Sequence, residues 1–127
     1  MNTALLLPIA AGGALGACAR YLMSGAVSRF AGVGFPYGTL AVNVLGSLLI
    51  GLIAGYFMRE GLEAKPAMQA FLITGVLGGF TTFSAFSFEA LAMFNRGDTL
   101  NAASYVSLSV LLGLGACALG FMLIRTL

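Results

Sequence analysis

Four long apolar stretches dominate this sequence and decide what it can fold into. They cover residues 3–28, 36–58, 66–88 and 99–124, and Arg20 is the only charged residue inside any of them. A helix needs about 20 apolar residues to cross the hydrocarbon core of a bilayer. Of the 127 residues, 60% are hydrophobic and only 8% are charged, which is too few charges to cover a soluble domain. The sequence therefore predicts an all-α membrane protein with four transmembrane helices.

The connections between these stretches are short. They are Arg29–Phe35, Arg59–Lys65 and Asn95–Asp98. Helices joined so closely are antiparallel neighbours, which predicts a single four-helix transmembrane domain over residues 1–127. The first stretch lacks a basic leading segment and is longer than the apolar run of a signal peptide. We therefore expect it to be a permanent helix of the bundle.

Lysine and arginine are nearly balanced between the two sides of the membrane. Three lie on the side of both termini and two on the other, while Arg20 sits near the end of the first span and is hard to assign. The first group is Arg59, Lys65 and Arg125, and the second is Arg29 and Arg96. Because an excess of these residues normally fixes orientation, two interpretations stay open. The chain inserts one way with a weak bias, or it inserts both ways and pairs as an antiparallel homodimer.

Small and polar residues recur within the spans. Glycines crowd the first, second and fourth spans, which is typical of closely packed membrane helices. Thr39, Asn43 and Ser47 follow one another at four-residue spacing, and Tyr105 and Ser109 repeat that spacing in the fourth span. Such residues commonly hydrogen-bond neighbouring helices. Two polar faces in so small a chain favour an ion pathway over packing alone, and four spans enclose so little volume that we expect an oligomer.

The stretch GVLGGFTTFSAFSFE, residues 75–89, departs most from an ordinary apolar helix. Gly78 and Gly79 are followed by Thr81 and Thr82, and both residue types are poor in a helix interior. We therefore predict that the third helix is broken in its middle. Backbone carbonyls released by such a break need a partner inside a bilayer, and a bare cation such as Na⁺ suits them.

Beyond the predicted break, Phe83 and Phe86 lie on one helix face, and Ser84 and Ser87 lie on a neighbouring face. An aromatic ring carries a positive edge. Two such edges can favour a small anion without the cost of a buried full charge. Phenylalanines in membrane spans are nonetheless most often packing or lipid-facing residues.

Three segments carry a resemblance to a known family. They are GGALGACARY (12–21), GTLAVNVLGS (38–47) and GVLGGFTTFSAFSFE (75–89), and the third is the most specific. The chain resembles the Fluc, or CrcB, family of fluoride ion channels along essentially its full length. The resemblance implies passive export of cytoplasmic fluoride across a bacterial-type inner membrane. It also implies a dual-topology homodimer with two antiparallel pores and a structural Na⁺ on the dimer axis.

The same resemblance assigns roles to individual residues. The backbone carbonyls of Gly78 and Thr81 would bind Na⁺, and Asn43 would donate a hydrogen bond to fluoride. Glu89 would shape one end of the pathway, or simply pair with Arg20. The remaining predicted fluoride-pathway residues are Phe83, Phe86, Tyr105, Ser109, Thr39, Ser84 and Ser87.

Two positions depart from the family pattern. Gly113 stands one turn after Ser109, where some members have a hydroxyl, so the polar track is either shorter or filled by water. Ala85 stands where Thr or Ser is common, so a polar contact from that position is absent.

Other classes of protein fit less well. A small dual-topology drug exporter needs an acidic residue in its first span, and residues 3–28 contain none. A structural membrane protein that conducts nothing is the other alternative. An enzyme is not expected, because no nucleophile–base pair or metal-ligand cluster occurs in the sequence. Cys18 and Cys117 are predicted to be small buried residues, and a net charge of +2 without a basic patch speaks against a nucleic-acid partner.

Overall fold

The computed structural model describes residues 2–59 and 66–126, and within these ranges the chain is helical throughout apart from turns and one interruption. Four of its helical segments are long and apolar enough to cross a membrane, which confirms the four predicted spans. In chain order the helices are a short 3₁₀ helix (Thr3–Leu5), α1 (Leu6–Ala31), α2 (Tyr37–Arg59), α3 (Pro66–Gln69), a π-helix (Ala70–Leu77), α4 (Gly78–Phe80), α5 (Phe83–Asn95) and α6 (Thr99–Thr126). The third span comprises α3, the π-helix, α4 and α5.

Two helices run further than the sequence predicted. α1 continues through Arg29 to Ala31, where a cation in the last turn suits the negative end of the helix. It ends at Gly32, which has a φ of 86° and donates its N–H to the Ser28 carbonyl at 3.1 Å. α6 likewise continues through Arg125 to Thr126, beyond the predicted end of the fourth stretch at residue 124. A charged residue is therefore a poor marker of a helix end here.

The second predicted connection, Arg59–Lys65, is the one that the structure tests least. α2 ends at Arg59, and residues 60–65 lie outside the described residues. The first and third connections lie within them. Gly97, with a φ of 78°, turns the chain between α5 and α6, and the Asp98 N–H closes that turn on the Met93 carbonyl at 3.0 Å.

Glycine allows α1 to pack directly against the third span. A methyl group placed on Gly12 would stand 2.9 Å from the Val76 nitrogen and 3.0 Å from the Gly75 Cα. One turn later, a methyl group on Gly16 would stand 2.8 Å from the Phe80 nitrogen. Real side chains are essentially never this close to backbone atoms, so this contact requires glycine. It fixes the π-helix and α4 against α1, as the small residues of the first span predicted.

A second glycine contact joins α2 to α6. A methyl group on Gly51 would stand 3.0 Å from the Phe121 nitrogen, and one on Gly120 would stand 2.9 Å from the Leu52 nitrogen. Gly115, by contrast, faces open space. Close approach of these helices sets the distance between the two polar faces that the sequence predicts on them.

One cluster of buried residues lies where α5 meets α6. Ala90 and Met93 of α5 pack with Ala102 and Tyr105 of α6, and Tyr105 is completely buried. This contact holds the start of α6 against α5, so that the Tyr105 hydroxyl reaches the α5 side chain Glu89.

The two cysteines are free thiols. Cys117 is half-buried, whereas Cys18 is exposed on α1, so the prediction of a buried side chain was wrong for Cys18. A thiol behaves as a small hydrophobic group, and a position facing lipid therefore suits it as well as a buried one.

Candidate functional site

The backbone leaves the helical conformation at Thr81 and Thr82, in the middle of the third span. Thr81 has φ −78° and ψ 158°, and Thr82 has φ −151° and ψ 120°, so both are extended. Thr82 caps α5, because its hydroxyl oxygen accepts a hydrogen bond from the Ala85 N–H at 3.2 Å. The N-terminal end of α5, which carries a partial positive charge, therefore lies deep within the span.

Asn43 of α2 hydrogen-bonds to the backbone at this interruption. Its Oδ1 accepts from the Thr82 N–H at 2.8 Å, and its Nδ2 donates to the Thr82 carbonyl at 3.0 Å. A backbone peptide group inside a bilayer must find partners within the protein. The Asn43 amide provides both, in the way a neighbouring strand would.

Arg20 of α1 reaches the same interruption from the other side. Its Nη1 donates to the Thr81 carbonyl at 3.4 Å. The sequence left Arg20 unassigned and offered Glu89 as its partner. In the structure Glu89 accepts hydrogen bonds from two hydroxyl groups, and the Arg20 hydrogen bond goes to the Thr81 carbonyl.

Those two hydroxyls belong to Thr39 and Tyr105. Thr39 Oγ1 donates to Glu89 Oε1 at 2.8 Å, and the Tyr105 hydroxyl donates to Oε2 at 2.7 Å. Each carboxylate oxygen thus has a donor, which offsets part of the cost of placing a carboxylate within a span. Three residues predicted for the pathway are therefore brought together, and they come from α2, α5 and α6.

Aromatic rings form a chain from this carboxylate toward the interruption. The Phe83 and Phe86 ring centroids are 5.5 Å apart, and those of Phe86 and Tyr105 are 5.2 Å apart. Phe35, in the loop before α2, meets Tyr105 edge to face at 5.4 Å. The two predicted phenylalanines thus lie in contact with each other and with the predicted tyrosine.

A cavity of about 410 Å³, which we call the phenylalanine cavity, is lined by four of the nine predicted pathway residues, Asn43, Phe83, Phe86 and Ser109. The Ser109 hydroxyl, buried on its α6 wall, has no hydrogen-bond partner among the described residues. Such a group is an available donor at low cost. The polar, glycine and aromatic residues that line the cavity are Asn43, Gly46, Ser47, Gly78, Thr81, Thr82, Phe83, Phe86 and Ser109.

A larger cavity of about 590 Å³, the arginine cavity, lies on the other side of Thr82. Thr82 lines both cavities. Two arginines give the larger cavity a positive character, which Glu89 partly offsets. Its polar and charged lining residues are Arg20, Tyr21, Ser24, Ser28, Arg29, Thr39, Thr82 and Glu89.

Some predicted residues lie outside the two cavities. Ser87 donates to the Phe83 carbonyl at 2.9 Å, and Ser84 shares a hydrogen bond of 3.3 Å with Thr82, so both serve the first turns of α5. Neither serine lines either cavity, and their place in a pathway stays a prediction. Of the two departures from the family pattern, Ala85 lines the arginine cavity, and Gly113 lies near the Ser47 hydroxyl without lining either one.

Three residues at this site were not among those predicted to form the pathway or the cation site. Thr82 could have been found, since a threonine directly before an apolar helix is an N-cap signal. Arg20 was noticed, but its partner Thr81 lies 61 positions away. Phe35 gave no local signal, because its contact with Tyr105 depends on how α2 and α6 pack.

The family relationship of the chain follows from a match over nearly its whole length. A family profile described as CrcB-like protein, Camphor Resistance (CrcB), matches residues 7–121. The chain belongs to the CrcB family. Every residue that lines the two cavities lies within the matched range.

Individual CrcB relatives are similar across the same length. A fluoride-specific ion channel FluC of Rhizobium meliloti is 48% identical over 127 residues, covering 100% of this chain and 99% of the relative. Fluoride-specific ion channel FluC 1 of Nitrobacter hamburgensis is 44% identical over 128 residues, with 100% of both chains covered. A further FluC of Agrobacterium fabrum is 47% identical over 119 residues, 94% of each chain. The likeness therefore extends through all four spans.

Proposed function

We propose that this chain is a passive fluoride channel of the inner membrane, with the phenylalanine cavity as part of its pathway. The observation that carries the proposal is the whole-length similarity to CrcB relatives named as fluoride-specific ion channels. The cavity supports it independently, because it offers neutral donors and aromatic edges and no side chain that would trap an anion.

Fluoride is small and strongly hydrated, so a pathway must replace its water with other donors. The Ser109 hydroxyl is buried and unpaired among the described residues, and it faces a cavity that Phe83 and Phe86 also line. The positive ring edges and the hydroxyl together replace the water molecules that fluoride loses on entering the cavity. One N–H of Asn43 Nδ2 is left over after its bond to Thr82, and it adds a further donor.

The functional unit that we propose is an antiparallel homodimer. In one chain the Phe83 ring is 78% exposed, although it lines the cavity. A pathway wall so open to lipid would not hold a hydrated anion, and a second copy is the simplest group to cover it. The near-equal distribution of lysine and arginine permits copies of both orientations in one membrane.

A structural Na⁺ on the axis of that dimer is the finer part of the proposal. Gly78 and Thr81 both line the phenylalanine cavity, and carbonyl oxygens are the ligand type that such a cation prefers. The Thr81 carbonyl has two lone pairs, and the Arg20 guanidinium uses one. Two carbonyls from each of two chains would suffice to hold the ion. Bound there, Na⁺ would hold together the third spans of both copies.

The test is fluoride efflux from liposomes that contain the purified protein. We expect fluoride to leave rapidly and chloride to be retained. Replacement of Na⁺ by a large organic cation on both sides should slow the efflux or weaken the dimer. Liposomes that release neither anion would contradict the channel, whereas fast efflux without any effect of Na⁺ on rate or assembly would contradict only the cation site.

A further inference from the structure

The two cavities meet at a single residue. Among the residues that the structure describes, Thr82 is the only one that lines both the arginine cavity and the phenylalanine cavity. It is also the second of the two extended residues that interrupt the third span. Thr82 therefore forms part of the wall of each cavity, and a shift of its backbone would change both.

The N–H and the carbonyl of Thr82, which belong to two successive peptide groups, are both held from another helix. Asn43 accepts from its N–H at 2.8 Å and donates to its carbonyl at 3.0 Å. With φ −151° and ψ 120°, Thr82 has the conformation of a strand residue, whose N–H and carbonyl point to the same side. A primary amide matches that pair of groups, because it offers one acceptor and one donor side by side. We call this pair of hydrogen bonds the Asn43 clamp.

Neighbouring groups cannot replace the clamp. The Thr82 hydroxyl is already engaged by the Ala85 N–H at 3.2 Å and by Ser84 at 3.3 Å. The Arg20 guanidinium donates to the preceding carbonyl, that of Thr81, and it has no acceptor to offer the Thr82 N–H. Without Asn43, a backbone N–H and a carbonyl would be left unpaired within the span.

We propose that Asn43 is a positioning residue, which acts on anion passage by clamping the Thr82 backbone at the boundary between the two cavities. This inference rests on the proposed channel function. It goes beyond a direct contact between Asn43 and the anion, since the clamp uses Oδ1 and one of the two Nδ2 protons for the backbone. If Asn43 acts by positioning, its effect on flux depends on the Thr82 N–H. If Asn43 only donated a hydrogen bond to the anion, the Thr82 N–H would not be needed.

The decisive variant changes Thr82 and leaves Asn43 intact. Replacement of Thr82 by its α-hydroxy analogue converts the backbone N–H to an ester oxygen and keeps the threonine side chain. Because the Thr81 carbonyl becomes a weaker ester acceptor at the same time, a loss of efflux is assigned to the clamp only if Asn43→Ala also speeds amide exchange at Thr82. We expect fluoride efflux from liposomes to fall about tenfold, the factor that corresponds to losing one hydrogen bond of a buried group. The same replacement at Thr99, where a first-turn N–H of α6 has no acceptor within the helix, should leave efflux unchanged.

Amide exchange tests the clamp without relying on transport. Asn43→Ala removes both hydrogen bonds, so the segment containing Thr82 should exchange its amide hydrogens about tenfold faster or more in the purified full-length protein. Asn2→Asp serves as the control. Asn2 only caps the 3₁₀ helix Thr3–Leu5, by accepting from the Ala4 N–H, and Asp also caps well. Unchanged exchange at Thr82 in Asn43→Ala would overturn the clamp.

The two experiments separate the clamp from the channel proposal. If the parent conducts fluoride and the Thr82 ester conducts equally well, the clamp has no role in passage and the channel proposal stands. If the parent does not conduct, the channel proposal fails and the role in passage fails with it. The exchange rate at Thr82 then decides only whether the two hydrogen bonds exist.

Discussion

Phe83 and Phe86 allow the proposed anion chemistry to be tested one side chain at a time. Their rings are 5.5 Å apart at the wall of the phenylalanine cavity, near the buried Ser109 hydroxyl. If the ring edges contact the anion, they stabilise it through their partial positive charge, and an aliphatic side chain of similar size will not do so.

Phe83→Ile and Phe86→Ile keep most of the apolar volume and remove the ring. We expect both variants to fold, because swaps of similar volume are well tolerated. Fluoride efflux should fall about fivefold in at least one of them, since an aromatic edge contact is worth about 1 kcal/mol. Phe94→Ile, on the same helix but away from both cavities, is the matched control. Normal efflux from both variants would mean that these rings only pack.

The Glu89 carboxylate gives a second test at this scale. Tyr105→Phe keeps the buried ring and removes the hydroxyl that donates to Oε2 at 2.7 Å. The free energy of unfolding should fall by about 1.5–3 kcal/mol, as for a lost hydrogen bond to a charged group. Tyr56→Phe makes the same change at an exposed position and should have little effect. Equal unfolding transitions in detergent for the two variants would show that the Tyr105 hydroxyl contributes nothing.

The helices were easier to predict from the sequence than the contacts between them. The length of the apolar stretches predicted the four spans, because the thickness of the bilayer sets that length. The π-helix was not predicted, since no local residue pattern in the stretch 70–77 signals its hydrogen bonding. For the same reason the sequence placed Asn43 on a polar face but not against Thr82, a contact between residues 39 positions apart. The spacing of residues predicts which side chains share a helix face. The packing of the helices determines which residues that face contacts.

Adjacent glycines of α1 test the packing of that element. Gly12→Ala would push a methyl group against the Gly75 backbone, and we expect a loss of about 1–3 kcal/mol in unfolding free energy from overpacking. Gly13→Ala meets nothing within 4 Å and should be neutral or stabilising, by up to about 1 kcal/mol. Thermal unfolding in one detergent compares them. A larger loss of unfolding free energy for Gly13→Ala than for Gly12→Ala would contradict the contact of Gly12 with the third span.

At the scale of the whole molecule, two features lead to the same expectation about assembly. They are the exposed wall of the phenylalanine cavity and the balanced distribution of lysine and arginine. Both favour two copies of opposite orientation. A parallel pair would need all copies to insert the same way, and the distribution of arginine and lysine gives no strong reason for that.

The orientation is measurable in cells. A reactive cysteine placed after the C-terminus, in a Cys18→Ala and Cys117→Ala background, should be labelled by an impermeant reagent in about half of the copies before lysis, as expected for balanced charges. Adding two lysines beside Arg125 should shift the labelled fraction toward zero, because basic residues favour the cytoplasm. Labelling of no copies in the unmodified background would exclude antiparallel pairing.

The π-helix between Ala70 and Leu77 has a consequence for how this chain tolerates changes of length. Each of its hydrogen bonds spans five residues where an α-helix spans four, so the segment holds surplus chain. Deletion of one residue there can be absorbed by a return to α-helical bonding, with Gly79 still facing α1. Deletion of one residue in α2 before Asn43 would instead rotate that side chain by about 100° away from Thr82. Natural indels are therefore expected in the third span before Gly78 and not in the first half of α2.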